Sequence, residues 1–157
     1  MTNLMPNSQA DLCLSLRADP KLVVIACKAV RNLAEIHGMN ERDCYRLELA
    51  TDEVCSNAIT HACERDEHRN YRLEAAYDEV DDSIVVWVYD RGEGFDIERV
   101  KEVKELPKPP NCPVGGLGLH LVRKVTDDID YLCGKNGENC LIFRKRVIPE
   151  PKLAAEA

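Results

Sequence analysis

Two polar side chains, Glu53 and Asn57, lie four residues apart in the stretch Leu47–Glu64, which read as a helix has a small and apolar face made of Leu47, Ala50, Thr51, Val54, Ala58 and Ala62. At that spacing they project from one face of a helix, one turn from each other. Burying a carboxylate and a carboxamide there is costly without polar partners, and a magnesium-bound phosphate chain would supply them. Asn57 would then be a Mg²⁺ ligand, and Glu53 would orient or deprotonate a nucleophile near the terminal phosphate. The alternative is that both lie on the solvated edge of an amphipathic helix, since E-x-x-x-N alone is a common pattern.

A second candidate site follows the segment Ser83–Tyr89, whose apolar residues on both faces predict a central strand covered on both sides. Asp90, Gly92, Gly94 and Phe95 follow it in the pattern D-x-G-x-G-F. The glycines permit a sharp turn and the close approach of a ligand. The Asp90 carboxylate is suited to accept a hydrogen bond from an amino group, such as the exocyclic amine of adenine. A purely structural turn explains the glycines equally well.

A third candidate is the glycine-rich segment 114–122, VGGLGLHLV, which opens directly onto a predicted helix. Free N–H groups and the helix dipole make such a start an anion site. The pattern is neither G-x-G-x-x-G nor the P-loop, so taken alone it is weak. The segment 106–113 before it has four prolines in eight residues and is predicted to be an irregular loop.

The elements that would position these residues follow from periodicity and capping signals. A strand is predicted at 11–17, and Asp19 with Pro20 starts a helix that runs to about His37. Asn40 caps the helix that carries Glu53 and Asn57. The remaining predictions are a hairpin of strands 70–77 and 83–89, a short helix at 97–104, a helix ending near 127, and strands at 129–133 and 140–148.

The bulk properties predict one globular domain at 11–148, with flexible tails at 1–10 and 149–157. The chain has 157 residues, of which 45% are hydrophobic and 31% charged, enough for a single full core. The net charge of −7 argues against direct binding to nucleic acid or an anionic membrane. No apolar run approaches the ~18 residues of a membrane span, and the start lacks a signal-peptide pattern, so a cytoplasmic location is predicted.

The eight cysteines show neither C-x-x-C nor the spacing of a zinc site. Most of them sit within apolar runs, where a reduced cysteine behaves as a small hydrophobic residue. They are therefore predicted to be buried free thiols, with Cys112 in the proline-rich loop the most exposed.

The order of the three candidate sites resembles the gyrase, histidine-kinase and MutL class of ATP-binding domains. The residues Asn-Ala-Ile-Thr-His-Ala after Glu53 and Gly-Gly-Leu-Gly-Leu-His-Leu-Val-Arg-Lys-Val at 115–125 look most like the anti-sigma-factor serine kinases, the RsbW and SpoIIAB family. The similarity covers roughly residues 11–147. It implies a two-layer α/β (α+β) sandwich, in which helices pack on one face of a mixed, mainly antiparallel sheet, with residues 96–115 as a lid over ATP.

The resemblance also assigns roles by position. Glu53 matches the general base, Asn57 the Mg²⁺ ligand, and Asp90 the acceptor for the adenine amine. His61, one turn beyond Asn57, either lines the site or is an ordinary core or surface histidine. The other implied nucleotide contacts are Gly92, Gly94 and Phe95 in the first glycine box, and Gly115, Gly116, Leu117, Gly118 and Leu119 in the second.

Two positions depart from the family pattern. Members often carry an Arg just before the second glycine box, where this chain has Val114, and a Thr after a Gly in the last strand, where Glu138 follows Gly137. Loss of a cation near the terminal phosphate weakens phosphoryl transfer without abolishing nucleotide binding.

The function that the resemblance implies is an ATP-dependent protein serine/threonine kinase acting as an anti-sigma factor. Its substrate would be a STAS-type anti-sigma-factor antagonist, and a sigma factor and a second copy of the chain are further expected partners. The alternative is a nucleotide-binding regulator with little or no catalysis, which the missing Arg would favour. A histidine kinase is disfavoured, because fewer than twenty residues precede the first helix and leave no room for a phosphoacceptor hairpin.

Overall fold

The computed structural model describes residues 10–64, 66–93, 117–134 and 136–150, apart from the side chain of Leu117. Their regular elements are, in chain order, β1 (Leu12–Arg17), a 3₁₀ turn (Pro20–Leu22), α1 (Val23–Ile36), α2 (Glu41–Asn57), a π-helical turn (Ala58–Ala62), β2 (Asn70–Asp78), β3 (Ser83–Asp90), α3 (Leu117–Val125), β4 (Asp128–Cys133) and β5 (Asn139–Arg146). The predicted lid at 96–115 and the predicted helix at 97–104 lie outside the described residues.

The five strands form one sheet in the order β1-β2-β3-β5-β4. Every pairing among the described strands is antiparallel, so the sheet is not mixed. The predicted α+β sandwich is otherwise confirmed, and β3 is the central strand, as its two-sided apolar sequence predicts.

The core lies mainly between the three helices and one face of the sheet. Alternate β3 residues Ile84, Val86 and Val88 point to that face and pack with helix residues such as Val30 and Leu47. The β3 residues between them belong to a second buried cluster that is made of strand residues alone: Ala76, Val85, Trp87, Tyr89, Cys140 and Ile142.

Side-chain caps start the first two helical segments where the sequence predicts them. The Asp19 carboxylate accepts a hydrogen bond from the Lys21 N–H at 2.9 Å. The Asn40 carboxamide accepts one from the Asp43 N–H at 2.9 Å, and its nitrogen donates to the Ile148 carbonyl at 2.7 Å. The first turn of α2 is thereby tied to the segment that follows β5.

The helix that carries Glu53 does not continue as an α-helix to its end. From Ala58 to Ala62 it is a π-helical turn, in which the Cys63 N–H donates to the Ala58 carbonyl at 2.9 Å. Single π turns of this kind occur often at functional sites. Periodicity analysis predicts an uninterrupted helix here, because it has no signal for one added residue in a turn.

Seven cysteines are described, and all are free thiols. Five are buried, as predicted, whereas Cys13 and Cys133 are exposed near the edges of the sheet. Cys112 lies outside the described residues. No described helix is both long and apolar enough to cross a membrane.

A buried ion pair fixes α2 against β5. The Lys145 ammonium group, whose side chain is 7% exposed, lies 3.6 Å from the Asp43 carboxylate and 3.5 Å from that of Asp127. Burial raises the pKa of Asp43, but the Asn40 hydrogen bond and the charges of Lys145 and Arg46 outweigh it and hold that pKa below its usual value. Asp43 therefore stabilises the fold fully at pH values above the pKa of its carboxyl group in the unfolded chain. This contribution is lost as the pH falls through the lower pKa that the group has in the folded protein.

Replacing Lys145 by Met should lower the free energy of unfolding by about 3 kcal/mol at pH 7, because it leaves the Asp43 carboxylate buried without its ammonium partner. Urea unfolding measures the change, with Lys124→Met on the exposed side of α3 as control. The deficit should shrink in acid, where Asp43 is protonated. A loss below about 0.5 kcal/mol, the size of an ordinary surface substitution, would contradict this account.

Candidate functional site

Three residues from two helices meet at the C-terminal half of α2. A Cβ built on Gly118 would stand 2.6 Å from Glu53 Oε2 and 3.5 Å from Asn57 Nδ2. Any side chain at Gly118 would therefore displace the half-buried Glu53 carboxylate, which glycine leaves in place beside Asn57. The structure thus brings together the E-x-x-x-N pair and Gly118 of the second glycine box, which lies 65 residues after Glu53 and 61 after Asn57.

The packing of α3 on α2 explains why Gly118 stands over Glu53. Leu119 and Val122 of α3 lie in the same buried core as Val54 of α2 and Ala58 of the π-helical turn, and Val122 is fully buried. With those apolar residues turned inward, the first turn of α3 presents Gly118 to the polar edge of α2. The N–H groups at that helix start are suited to an anion that sits beside Glu53 and Asn57.

Replacing Gly118 by Ala should lower the rate of phosphoryl transfer by about 10- to 100-fold with no loss of stability. The added methyl group meets the end of a flexible side chain, so the fold adapts by displacing the Glu53 carboxylate. A displacement of about 1 Å in a reacting group is enough for such a loss of rate. A transfer assay and a thermal melt test this, with Lys124→Ala in the same helix as control. Unchanged transfer would show that Glu53 does not act from this position.

Asp90 lies at the other part of the site, at the end of β3. Its Oδ1 accepts hydrogen bonds from the Gly92 N–H at 3.0 Å and from Asn139 Nδ2 at 3.1 Å. The same Asn139 nitrogen donates to the Gly92 carbonyl at 2.9 Å. Asp90 and Asn139 are direct partners in the pairing of β3 with β5. One oxygen of the carboxylate is thus held by the protein, and the other has no partner among the described residues.

The first glycine box packs against the π-helical turn. A Cβ on Gly92 would lie 2.3 Å from the Ala62 Cα and 2.6 Å from its Cβ, so only glycine fits. The neighbouring Cys63 thiol is buried and close enough to Asp90 for the carboxylate charge to act on it; burial first and that charge second raise the pKa of Cys63. The thiol therefore stays neutral and adds no charge beside Asp90.

Both parts of the site lie along one continuous helical segment. Glu53 and Ala62 are nine residues apart, which would be a rise of roughly 13 Å if the whole segment kept the 1.5 Å per residue of an α-helix. An extended nucleoside triphosphate has a comparable length, so a base at Asp90 and a terminal phosphate at Glu53 are compatible with one bound molecule.

The remaining predicted residues are distributed as follows. His61 is exposed on the π-helical turn. Leu119 is 8% exposed and points into the core, so only its backbone is available to a ligand. Leu117 is described as the first residue of α3. Four predicted contacts lie outside the described residues: Gly94, Phe95, Gly115 and Gly116.

Sequence reasoning missed two contributors to this site. Asn139 is 4% exposed, and its only signal is a polar residue directly before the apolar run of β5. Ala62 packs directly against Gly92 only because the π-helical turn places it there. Asn139 lies outside the motifs quoted above, whereas Ala62 ends the Asn-Ala-Ile-Thr-His-Ala motif without any sign there of its contact with Gly92.

Comparison with known proteins defines the class of protein to which the chain belongs. Residues 16–145 match the family described as histidine kinase-like ATPase domain. Serine-protein kinase RsbW of Oceanobacillus iheyensis is 29% identical over 145 residues, which cover 89% of this chain and 88% of that protein. The RsbW kinase of Bacillus licheniformis is 30% identical over 118 residues, 71% of each chain.

The chain belongs to the histidine kinase-like ATPase family and, within it, to the RsbW serine-protein kinases. A solved structure of the RsbU and RsbW domains of a Mycobacterium tuberculosis protein matches with a TM-score of 0.63 at 20% identity, covering 91% of this chain and 34% of that one. At that identity the match shows the shared fold. The predicted family, ATP use and kinase activity are confirmed by these relatives.

Proposed function

We propose that this protein transfers the terminal phosphate of ATP to a serine or threonine hydroxyl of a small STAS-type anti-sigma-factor antagonist. The observation that carries the proposal is the meeting of the Glu53 carboxylate, the Asn57 carboxamide and the side-chain-free Gly118 at a helix N-terminus. This arrangement combines a base, a hard oxygen ligand and an anion-binding turn in one place.

Each described residue has a proposed task. Glu53 accepts the proton of the attacking hydroxyl, and the α3 N-terminus binds the phosphate chain beside it. Asp90 accepts a hydrogen bond from the adenine amine and so fixes the base. Asn57 is the residue that would hold Mg²⁺ through its carbonyl oxygen, a donor of the kind that Mg²⁺ prefers, and it lies beside Glu53 at the start of α3. When bound, Mg²⁺ neutralises phosphate charge.

The wider regulatory role rests on family resemblance. We propose that the protein binds a sigma factor as well as the antagonist, that it forms a homodimer in the cytoplasm, and that residues 96–115 close over the nucleotide. Light scattering of the purified chain tests the homodimer. A monomer at working concentration, with the kinase reaction intact, would exclude dimerisation as a requirement for catalysis.

A transfer experiment tests the central proposal. The protein is incubated with radiolabelled ATP, Mg²⁺ and a purified STAS-type antagonist, and with a variant of the antagonist whose acceptor hydroxyl is replaced by Ala. Label on the first protein and not on the second is the expected result. Nucleotide-dependent stabilisation without transfer would instead support the non-catalytic regulator.

A further inference from the structure

Asn139 occupies a position that no motif in the sequence marks. It is the first residue of β5, the residue is 4% exposed, and it faces Asp90 directly across the pairing of β3 with β5. Its nitrogen donates to Asp90 Oδ1 at 3.1 Å and to the Gly92 carbonyl at 2.9 Å. Both partners are acceptors, so the contacts require the NH₂ end of the carboxamide at this place.

We propose that Asn139 is a positioning residue that sets the nucleobase specificity of this protein by holding the Asp90 carboxylate with one oxygen turned to the ligand. The inference rests on the proposed function, in which Asp90 accepts a hydrogen bond from the amino group of adenine. It extends that function to a residue that acts on the base through another side chain.

The donor count explains why a carboxamide suits this position. A primary amide nitrogen carries two N–H donors, and here one goes to each acceptor. With the Gly92 N–H as second donor, Asp90 Oδ1 has two hydrogen bonds and cannot rotate toward the ligand without breaking both. Asp90 Oδ2 is then the oxygen left for a base, and the turn at Gly92 is fixed by the same side chain.

A merely structural role for Asn139 makes a different prediction. If Asn139 only joined β3 to β5, its loss would lower stability and would weaken the binding of every nucleotide by the same factor. If it orients Asp90, its loss removes the advantage of ligands that carry the amino group over those that lack it. The ratio of two dissociation constants separates the two roles, because general effects on folding and phosphate binding cancel.

The first experiment compares ATP with purine riboside triphosphate, which lacks the amino group, by calorimetry on the full chain. The wild-type protein should bind ATP about 10- to 100-fold more tightly, as expected for one hydrogen bond to a charged acceptor. Asn139→Leu should bring the ratio to within about threefold of one. Asn32→Leu, on the exposed face of α1, is the matched control and should keep the wild-type ratio.

A second variant keeps the test decisive if Asn139→Leu fails to fold. Asn139→Asp has the same shape but places a second carboxyl group beside Asp90 Oδ1, and two carboxylates this close share a proton. The ATP preference should be lost at pH 8 and should return in part at pH 5, where the shared proton replaces one hydrogen bond. The wild-type ratio should stay level over this range.

Other titratable groups near Asp90 and Asn139 do not produce the same pH dependence of the ATP preference. Cys63 faces Asp90 from the helical layer and is kept neutral by burial, whereas Glu138 is paired with Arg72 at 3.7 Å on the sheet. Both are present in the wild type and in each variant, so any titration of theirs would appear in all the pH profiles.

The outcomes distinguish this inference from the function on which it rests. A wild-type ratio near one, or no binding of ATP, would overturn the role of Asp90 and the inference together. A wild-type preference that Asn139→Leu and Asn139→Asp both retain within twofold would overturn the inference and leave the proposed function intact.

Discussion

Replacing Glu53 by Gln should lower the rate of phosphoryl transfer by about 10²- to 10⁴-fold, the usual contribution of a positioned general base. The carboxamide keeps the size of the side chain next to Gly118 but cannot accept the proton of the attacking hydroxyl. The dissociation constant of ATP should change by less than about threefold, because the proposed contacts of the nucleotide are with Asn57, Asp90 and the α3 N-terminus. Single-turnover transfer and calorimetry measure the two quantities separately.

The matched control for this variant is Asp52→Asn, which removes the same charge from the neighbouring, solvent-exposed position of α2. It should transfer phosphate at nearly the wild-type rate. Equal losses of transfer rate in the two variants would mean that transfer depends on the total charge of the helix and not on a base at Glu53. Undiminished transfer in Glu53→Gln would rule out Glu53 as the base.

Replacing Asp90 by Asn should reverse the base preference of the protein. The new carboxamide oxygen would still accept from Asn139 and from the Gly92 N–H, so its nitrogen would face the ligand. A donor then opposes the amino group of adenine but suits the 6-oxo group of inosine. The ratio of the ATP and ITP dissociation constants should shift by about 10²-fold in favour of ITP.

Calorimetry with the two triphosphates measures this shift. Glu93→Gln removes the same charge from an exposed residue three positions further on and should leave the ratio unchanged. If Asp90→Asn weakened the binding of both nucleotides equally, Asp90 would have a structural role in the turn and no direct contact with the base.

Local chemistry made much of this fold predictable. The caps at Asp19 and Asn40 depend only on side chains within three residues, and the two-sided apolar pattern of β3 follows directly from its central place in the sheet. The pairing of Glu53 with Asn57 needs no more than the helical repeat. These features are visible in sequence because their causes lie within one element.

The parts that could not be predicted depend on contacts between distant elements. Asn139 gains its role from the pairing of β3 with β5, which are not consecutive strands and have no hairpin to set their register. The contact of Gly118 with Glu53 depends on how α3 packs on α2. In the sequence, Lys145 belongs to the basic run at 144–146 and gives no sign of being buried. Only the fold places it against Asp43.

The π-helical turn at Ala58–Ala62 also limits where the length of the chain can change. Deleting one residue there would restore α-helical geometry and turn everything after it by about 100°, so Ala62 would no longer lie under Gly92. In the connection between β2 and β3, Asp81 pairs with Arg144 and the Asp82 carbonyl accepts a hydrogen bond from the Val147 N–H, whereas Val80 is 92% exposed. The tip at Glu79 and Val80 is therefore the better place for an inserted tag or label. Homologous chains that keep the contact between Gly92 and Ala62 should therefore vary in length at the hairpin and conserve the residue count between Asn57 and Cys63.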